Sequence, residues 1–302
     1  MASAKTDWKE SGEKGLVSVV MSTYREVADG NPRSGRGSTL DRAISSVRSQ
    51  SYPHWQLLVM SDHPPEPLGA AVRALVASYG DPRIQCHEQP QWGGTRFPGL
   101  LAKRAGVARA TGEYLAFLDA DNEWTSFHTE RSVAALEAGE LDLVYCDSLV
   151  TQAGWEPPPV PFHQILPFGP LLGPVLGAPF TWHKPTWDAA ARQKLLSLNF
   201  IDFSEAVIRR AAYEASRGLE APIGMEDTTD WELWKNLLAA GRDRFRHLDH
   251  IGLYYTTFDA DHHRRYFLLR QLAELPVPFP MVHAEPWIRP QARLHYGRKH
   301  PG

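Results

Sequence analysis

Short apolar runs alternate with amphipathic segments along the first half of the chain. Residues 16–21 form a nearly continuous apolar run, which is typical of a strand buried on both faces of a sheet. After Ser38, apolar residues recur at positions 40, 43, 44 and 47, the spacing of one helix face. This alternation constrains the fold more than any other feature, because it predicts βα units around a mostly parallel sheet.

The same alternation continues to about residue 145. We predict further strands at residues 55–60, 84–87, 114–118 and 141–145, and helices at residues 68–79, 99–110 and 126–138. The chain has 302 residues, more than the usual domain of about 100–200, but α/β chains of this length often form one body. We therefore expect one Rossmann-like α/β domain with helices flanking the sheet.

The second half has a different composition. Nine prolines fall between residues 156 and 185, so this stretch can be neither a regular helix nor a central strand. We expect a long structured loop there. Beyond it we predict helices at residues 188–197, 209–216 and 261–275, a helix around Trp231 that ends at Gly241, and strands at residues 203–208 and 245–255. Residues 1–14 are expected to be flexible, and residues 276–302 to form a tail that is either draped over the surface or mobile.

Bulk composition excludes several classes of protein. A net charge of −3 argues against binding nucleic acid mainly through its phosphate backbone. No run approaches the roughly 18 apolar residues of a membrane span, and residues 1–14 do not resemble a signal peptide. Cys86 and Cys146 lack metal-type spacing, so we expect buried free thiols. The expectation is a cytoplasmic protein with no nucleic acid partner and no integral membrane segment.

Polar residues follow three of the predicted strands, at the edge where open α/β sheets bind ligands. They are Ser22-Thr23-Tyr24, Asp62, and the triplet from Asp119 to Asp121. Strand alternation can place Asp119 and Asp121 on one side, as two oxygen ligands for a divalent cation on a diphosphate. The spacing alone leaves an alternative open, in which both aspartates belong to a solvated turn and the N-cap of the next helix.

Three ordered motifs closely resemble family 2 glycosyltransferases with the GT-A fold. The motifs are VSVVMSTY at residues 17–24, AISSVRSQSYPHWQLLVMSD at residues 43–62 and ATGEYLAFLDADN at residues 110–122. A weaker match covers residues 203–238, where DWELW at residues 230–234 looks like the family's acidic segment near the acceptor. The resemblance implies a nucleotide-sugar-binding half at residues 15–148 and an acceptor-binding half at residues 149–275.

For the donor nucleotide, the resemblance implies contacts to the base and the phosphates. Thr23 and Tyr24 would line the base pocket, and Asp62 would accept a hydrogen bond from the base, often uracil. Arg96 and Lys103 would contact the base or the phosphates, although either could instead be a solvated charge.

For the metal and the chemistry, the resemblance implies a set of carboxylates. Asp119 would contact the ribose or a Mn²⁺ or Mg²⁺ cofactor, and Asp121 would ligate that metal. Asp230 would be the general base, with Asp227 and Glu226 as alternatives because the register of this segment is open. Asp230 could also merely cap its helix.

The acceptor side is less defined. Trp182 and Trp187 could stack on a sugar or an aromatic acceptor, or could pack in the core. His262 or His263 could add a metal ligand, but a surface position is favoured.

Some positions depart from the family. Ser61 stands where a second Asp is common, residues 25–37 form a longer loop, and His63-Pro64-Pro65 replaces the usual Gly-Ser. These departures leave the identity of the nucleobase open.

The leading expectation is an inverting transfer of a sugar from a nucleotide diphosphate, with a UDP-sugar favoured. The acceptor would be an unidentified small molecule, glycan or peptide. The alternatives are a nucleotidyltransferase of similar fold and a non-catalytic nucleotide-sugar-binding protein.

Overall fold

The computed structural model describes residues 12–24, 38–91, 99–152, 180–220 and 229–257. The predicted loop over most of residues 156–185, the helix at 261–275 and both chain ends lie outside the described residues, as do Arg96, Glu226, Asp227, His262 and His263. The division into two halves at residue 149 stays a prediction. Among the described helices, none combines the length and apolar character needed to span a bilayer.

The described residues contribute nine strands to one sheet, in which the first four strands form a continuous parallel part. Their order is β3-β2-β1-β4, with β1 at Glu13–Thr23, β2 at Trp55–Ser61, β3 at Ile84–Glu88 and β4 at Gly112–Phe117. Helices α1 (Thr39–Arg48), α2 (Leu68–Ser78) and α3 (Leu100–Arg109) make the crossovers. The predicted βα units are therefore confirmed.

The sheet continues beyond β4 through strands of both directions. The order is β4-β8-β6-β9-β5, and β7 pairs with β6. These strands are β5 (Glu123–Trp124), β6 (Leu143–Gln152), β7 (Phe180–Trp182), β8 (Ala206–Arg209) and β9 (Phe245–Thr257). Strand β8 is antiparallel to both β4 and β6, whereas β6 and β9 are parallel. The remaining described α-helices are α4 (His128–Ala138), α5 (Ala189–Ser197), α6 (Arg210–Ala215) and α7 (Thr229–Ala239).

Two apolar layers cover the faces of the sheet. Along β1, Val17 and Val19 face one layer and Val20 faces the other, as the two-residue period of a strand requires. Leu115 and Ala116 of β4 divide between the layers in the same way. Burial on both faces explains why these strands appear as continuous apolar runs.

Several sequence predictions were wrong in detail. The strand expected at residues 141–145 runs from Leu143 to Gln152. The strand expected at residues 203–208 begins only at Ala206, after a 3₁₀ turn at Phe203–Glu205. Asp202 and Glu205 form a capping box that fixes this turn, a local hydrogen-bond pattern that competes with a sheet ladder. The helix expected from residue 126 begins at His128, because Glu123–Trp124 pairs with β9 as a short strand.

His128 at the start of α4 and His250 on β9 lie close enough to influence each other's protonation. The imidazole of His128 is fully buried, stacks on Trp124 at 4.6 Å between ring centroids, and places Nδ1 3.6 Å from the Cys146 sulfur. Burial, and then the nearby His250, lower the pKa of His128 to about 3. Burial likewise lowers the pKa of His250 to about 4, followed by the effect of Arg131. Both rings are therefore neutral in the folded protein near pH 7. Cys86 and Cys146 are both free thiols, as predicted, although Cys86 is only half-buried.

We expect the pair to make folding stability pH-dependent. Because the folded state depresses both pKa values, the unfolded chain binds more protons below pH 6.5, and stability falls as the pH drops towards 4. Each histidine contributes up to about 1.4 kcal/mol per pH unit. Urea unfolding between pH 7.5 and 4.5 should give a shallower pH slope for His128→Gln than for wild type. His54→Gln, which changes an exposed ring, is the control, and equal slopes for all three proteins would contradict the assignment.

Candidate active site

The carboxyl ends of β1 and β2 meet at one edge of the sheet. The Asp62 amide donates to the carbonyl oxygen of Thr23 at 2.8 Å, which continues the parallel ladder one step past Ser61. Thr23 and Asp62 are both buried, and Tyr24 is half-buried beside them. Three residues predicted for the base pocket therefore lie together at this edge, and their role stays a prediction.

Lys103 joins this edge to the end of β4. Its Nζ donates to Ser22 Oγ at 3.1 Å and to Asp119 Oδ1 at 2.8 Å, and the side chain is 6% exposed. Burial alone would lower the pKa of the Lys103 ammonium, but the Asp119 carboxylate outweighs it and the pKa is raised. Lys103 is therefore a fixed cation between the β1 and β4 ends.

Asp119 and Asp121 lie in a tight turn after β4. The turn is closed by a bond from the Asn122 amide nitrogen to the Asp119 carbonyl at 3.0 Å. Neither aspartate caps a helix, because α4 begins later and has Phe127 at its N-cap. The alternative of a helix cap is thus excluded for this pair.

Asn122 fixes the turn through its side chain. Its Oδ1 accepts from the Thr256 amide of β9 at 2.9 Å, and its Nδ2 donates to Ser204 Oγ at 3.3 Å. These two bonds anchor the turn to β9 and to Ser204 in the segment before β8.

The segment before β8 was missed as a part of the site. Ser204 Oγ accepts from the Asp119 backbone amide at 3.2 Å. Asp202 Oδ1 accepts from the Ser204 amide at 2.8 Å, and the Asp202 amide donates to Glu205 Oε2 at 2.8 Å. The Asp-x-x-Glu spacing ahead of an apolar run is the sequence signal that could have identified this turn.

Glu205 anchors the segment before β8 to Lys184 and to Ser148 of β6. Its carboxylate is fully buried, lies 2.7 Å from Lys184 Nζ and accepts a hydrogen bond from Ser148. Burial raises the pKa of Glu205, and Lys184 partly opposes the shift. Burial also raises the pKa of Asp202 well above its usual range, followed by the charges of Asp119, Glu205 and Asp230.

Asp230 lies in the first turn of α7. Its Oδ2 accepts from Asn199 Nδ2 at 2.9 Å, and its Oδ1 accepts from the Trp231 amide at 2.9 Å. The charge of Asp230 acts on both Lys103 and Asp202. The structure therefore brings Asp230 into the same electrostatic cluster as Asp119, although the two come from different halves of the chain.

The two tryptophans have packing partners. Trp187 donates from Nε1 to the Asp243 carbonyl at 2.8 Å and packs on Phe245 with ring centroids 4.5 Å apart. Lys184 Nζ lies over the Trp182 ring, 2.8 Å from its centroid. Both indoles remain half-buried, so contact with an acceptor stays a prediction.

A carboxylate pair of this kind fits a hard divalent cation. Such ions commonly take only one or two protein carboxylates, with phosphate oxygens and water completing the shell. Asp119 and Asp121 would be that pair. Among the described residues, no three His, Cys, Asp or Glu side chains converge on a complete metal site.

Comparison with known proteins identifies the family. The model of glycosyl transferase family 2 matches residues 18–217, which is well over half of the chain. The chain belongs to glycosyl transferase family 2. The matched range runs from within β1 to beyond β8 and therefore includes the Asp119 turn and the segment at residues 199–205.

A curated relative from Escherichia coli is the UDP-Glc:alpha-D-GlcNAc-diphosphoundecaprenol beta-1,3-glucosyltransferase WfgD. It is 26% identical over 130 residues, which cover 43% of this chain and 44% of the relative. The match thus spans less than half the length of that protein.

Solved structures agree on the fold. S. aureus TarS 1-349 in complex with UDP-GlcNAc superposes with a TM-score of 0.56 at 13% identity, over 93% of this chain and 72% of that one. The mannosyltransferase PcManGT from Pyrobaculum calidifontis, in complex with GDP-Man and Mn²⁺, gives a TM-score of 0.50 at 16% identity, over 95% and 76% of the two chains. The predicted GT-A-type α/β fold is confirmed.

Gly99 allows α3 to start close to the site. It has a φ of +72°, and a Cβ there would lie 2.6 Å from Ser22 Oγ. Gly80 also has a positive φ, of +60°, but a Cβ there would meet nothing within 4 Å among the described residues. The two glycines separate the cost of backbone strain from the cost of a clash at Ser22.

We expect Gly80→Ala to lower the free energy of unfolding by about 1 kcal/mol, the cost of left-handed backbone for a side chain. Gly99→Ala should cost roughly 1–3 kcal/mol more, because overpacking adds to the strain. Urea titration of both variants measures the difference. Equal losses would show that Ser22 and Lys103 yield without cost.

Proposed function

We propose that the chain is a glycosyltransferase that moves a sugar from a nucleotide diphosphate, with a UDP-sugar favoured, to a nucleophilic acceptor. The observation that carries the proposal is the cluster of Lys103, Asp119 and Asp230 at the carboxyl ends of the parallel strands. Family membership supports transfer of a sugar over transfer of a nucleotidyl group, which was the alternative. The cytoplasmic location remains part of the proposal.

The nucleotide base would bind at the ends of β1 and β2. A buried carboxylate such as Asp62 can accept a hydrogen bond from a base N–H, and uracil offers one at N3. The E. coli relative is named for UDP-Glc, and TarS was solved with UDP and with UDP-GlcNAc. These names support UDP as the donor nucleotide of this chain, with Thr23 and Tyr24 beside the base.

The diphosphate would bind at the turn after β4. Asp121 and Asp119 would hold Mn²⁺ or Mg²⁺, which, when bound, would neutralise charge on the leaving diphosphate as a Lewis acid. Lys103 is the described cation at this edge and can approach a phosphate oxygen while it stays bonded to Asp119. Arg96 is a further candidate for the phosphates. The PcManGT complex with GDP-Man and Mn²⁺ supports the choice of ion.

Asp230 would be the general base. The acceptor oxygen attacks the anomeric carbon, its proton passes to the Asp230 carboxylate, and the bond from that carbon to the diphosphate oxygen breaks. One displacement of this kind inverts the anomeric centre. Asp230 suits the task because its two oxygens are fixed by Asn199 and by the helix backbone, and general-base catalysis requires a positioned carboxylate. Asp227 and Glu226 are the alternative bases.

We expect nucleotide binding to require a divalent ion. Titration calorimetry with UDP, GDP and dTDP, each with and without Mn²⁺, should show binding of UDP only with the metal. Asp121→Ala should abolish that binding, because the remaining carboxylate is already bonded to Lys103. Asp249→Ala removes an exposed carboxylate on β9 and should bind UDP normally. Equal UDP affinity with and without metal would contradict the proposed metal site.

We expect Asp230→Asn to bind UDP with Mn²⁺ as the wild type does and to lose turnover. Loss of a general base lowers kcat by about 10²–10⁴-fold. UDP release from UDP-glucose and UDP-GlcNAc, with water as the acceptor, measures turnover without knowledge of the natural acceptor. Glu232→Gln, two residues further along α7 and paired with Lys235 in the wild type, is the control. Normal turnover by Asp230→Asn would transfer the role to Asp227 or Glu226.

A further inference from the structure

Asn199 contacts the proposed base directly. It follows α5 and donates from Nδ2 to Asp230 Oδ2 at 2.9 Å. Its Oδ1 accepts from the Ile201 amide at 3.2 Å, which fixes the rotation of the side-chain amide. The two ends of one amide group therefore have separate partners, one in its own turn and one on α7.

The backbone around Asn199 is held on both sides by α7. Trp231 Nε1 donates to the Leu195 carbonyl at 2.6 Å, and Trp234 Nε1 donates to the Ile201 carbonyl at 2.9 Å. Phe200 and Ile201 are fully buried. Because these bonds bracket Asn199, its side chain has a fixed position relative to the first turn of α7.

The same segment then reaches the donor turn. Three residues after Ile201, Ser204 accepts from the Asp119 amide and from Asn122. Six consecutive residues, 199–204, thus hold the proposed base at one end and the proposed metal turn at the other. A shift of this segment would change both positions together.

We propose that Asn199 is the positioning residue of the general base, which holds the Asp230 carboxylate towards the donor turn. The proposal rests on the glycosyltransferase function above. A neutral amide suits this place because it supplies a hydrogen bond without a charge. A lysine or arginine there would form an ion pair with the base and make it a weaker proton acceptor.

Asp230 interacts electrostatically with the Lys103 ammonium on α3 and with the carboxyl group of Asp202, which caps the 3₁₀ turn. On α7 itself, Glu232 is paired with Lys235 at 2.8 Å. The Asp119 carboxylate accepts a hydrogen bond from Lys103. A new carboxylate at position 199 would add to a group already crowded with negative charge.

Asn199→Asp is the decisive variant. It keeps the oxygen that accepts from the Ile201 amide but replaces the donor to Asp230 with a negatively charged acceptor. We expect the UDP affinity with Mn²⁺ to stay within about twofold of the wild type, because the variant leaves the residues at the nucleotide edge unchanged. We expect kcat for hydrolysis of UDP-glucose or UDP-GlcNAc to fall by about tenfold or more. The acidic limb of the kcat profile should move to higher pH, because a like charge disfavours the ionised base.

Asn236→Asp is the matched control. Asn236 lies on α7, as Asp230 does, but donates to the Gly218 carbonyl at 3.4 Å, away from Asp230. Asn236→Asp makes the same amide-to-carboxylate change as Asn199→Asp, so the kcat and pH profile of this variant should remain those of the wild type. Asn199→Ser, which loses the amide without adding a charge, should lower kcat with a smaller shift of the pH profile.

The outcomes separate the two proposals. Wild-type kcat and pH profile in Asn199→Asp, with Asp230→Asn inactive, would overturn the role of Asn199 and leave the glycosyltransferase function intact. Normal turnover by Asp230→Asn would overturn the base assignment and the role of Asn199 with it. If Asn199→Asp does not fold, Asn199→Ser decides the question. An Asn199→Ser variant that folds, binds UDP and has the wild-type kcat would overturn the proposal.

Discussion

The ion pair between Lys103 and Asp119 is the interaction on which the rest of the site depends. One ammonium group joins α3 to the ends of β1 and β4 through Ser22 and Asp119. Removing a charge from water costs several kcal/mol unless a partner compensates, and a buried pair often contributes little net stability. The position of this pair at the ligand-binding edge of the sheet is therefore better explained by function than by folding.

The balance of charge around Lys103 predicts that the nucleotide and the metal ion bind together. Asp119, Asp202 and Asp230 all act on this one cation. Burial raises the pKa of Asp202, and repulsion from Asp119, Glu205 and Asp230 adds to that shift. A diphosphate that approached alone would add to the repulsion. A divalent ion on Asp119 and Asp121 reverses the local sign of charge. Nucleotide and metal should therefore bind together, even though a complete metal site does not exist beforehand among the described residues.

The sequence predicted the parallel part of the fold well and the second half of the site poorly. Continuous apolar runs and helical stripes placed β1 to β4, and the residues that follow those strands could be named from chain direction alone. Asn199, Asp202 and Ser204 could not be found in the same way. The partners of Asn199 and Ser204 are Asp230 and the turn at residues 119–122, which are distant in sequence. Local periodicity carries no information on such pairs, and only the capping-box spacing at Asp202 gave a local signal.

The direction of β8 explains how one short segment can contact both sides of the reaction. Because β8 is antiparallel to β4, its amino end lies beside the carboxyl end of β4, and the residues that precede it arrive at Asp119. A parallel strand in this position would begin at the opposite edge of the sheet, four residues or about 13 Å away. The residues before it could then bond to neither Asp119 nor Asn122. The change from parallel to antiparallel pairing at β4 and β8 is therefore the structural feature that allows residues 199–204 to hold Asp230 and the Asp119 turn in one arrangement.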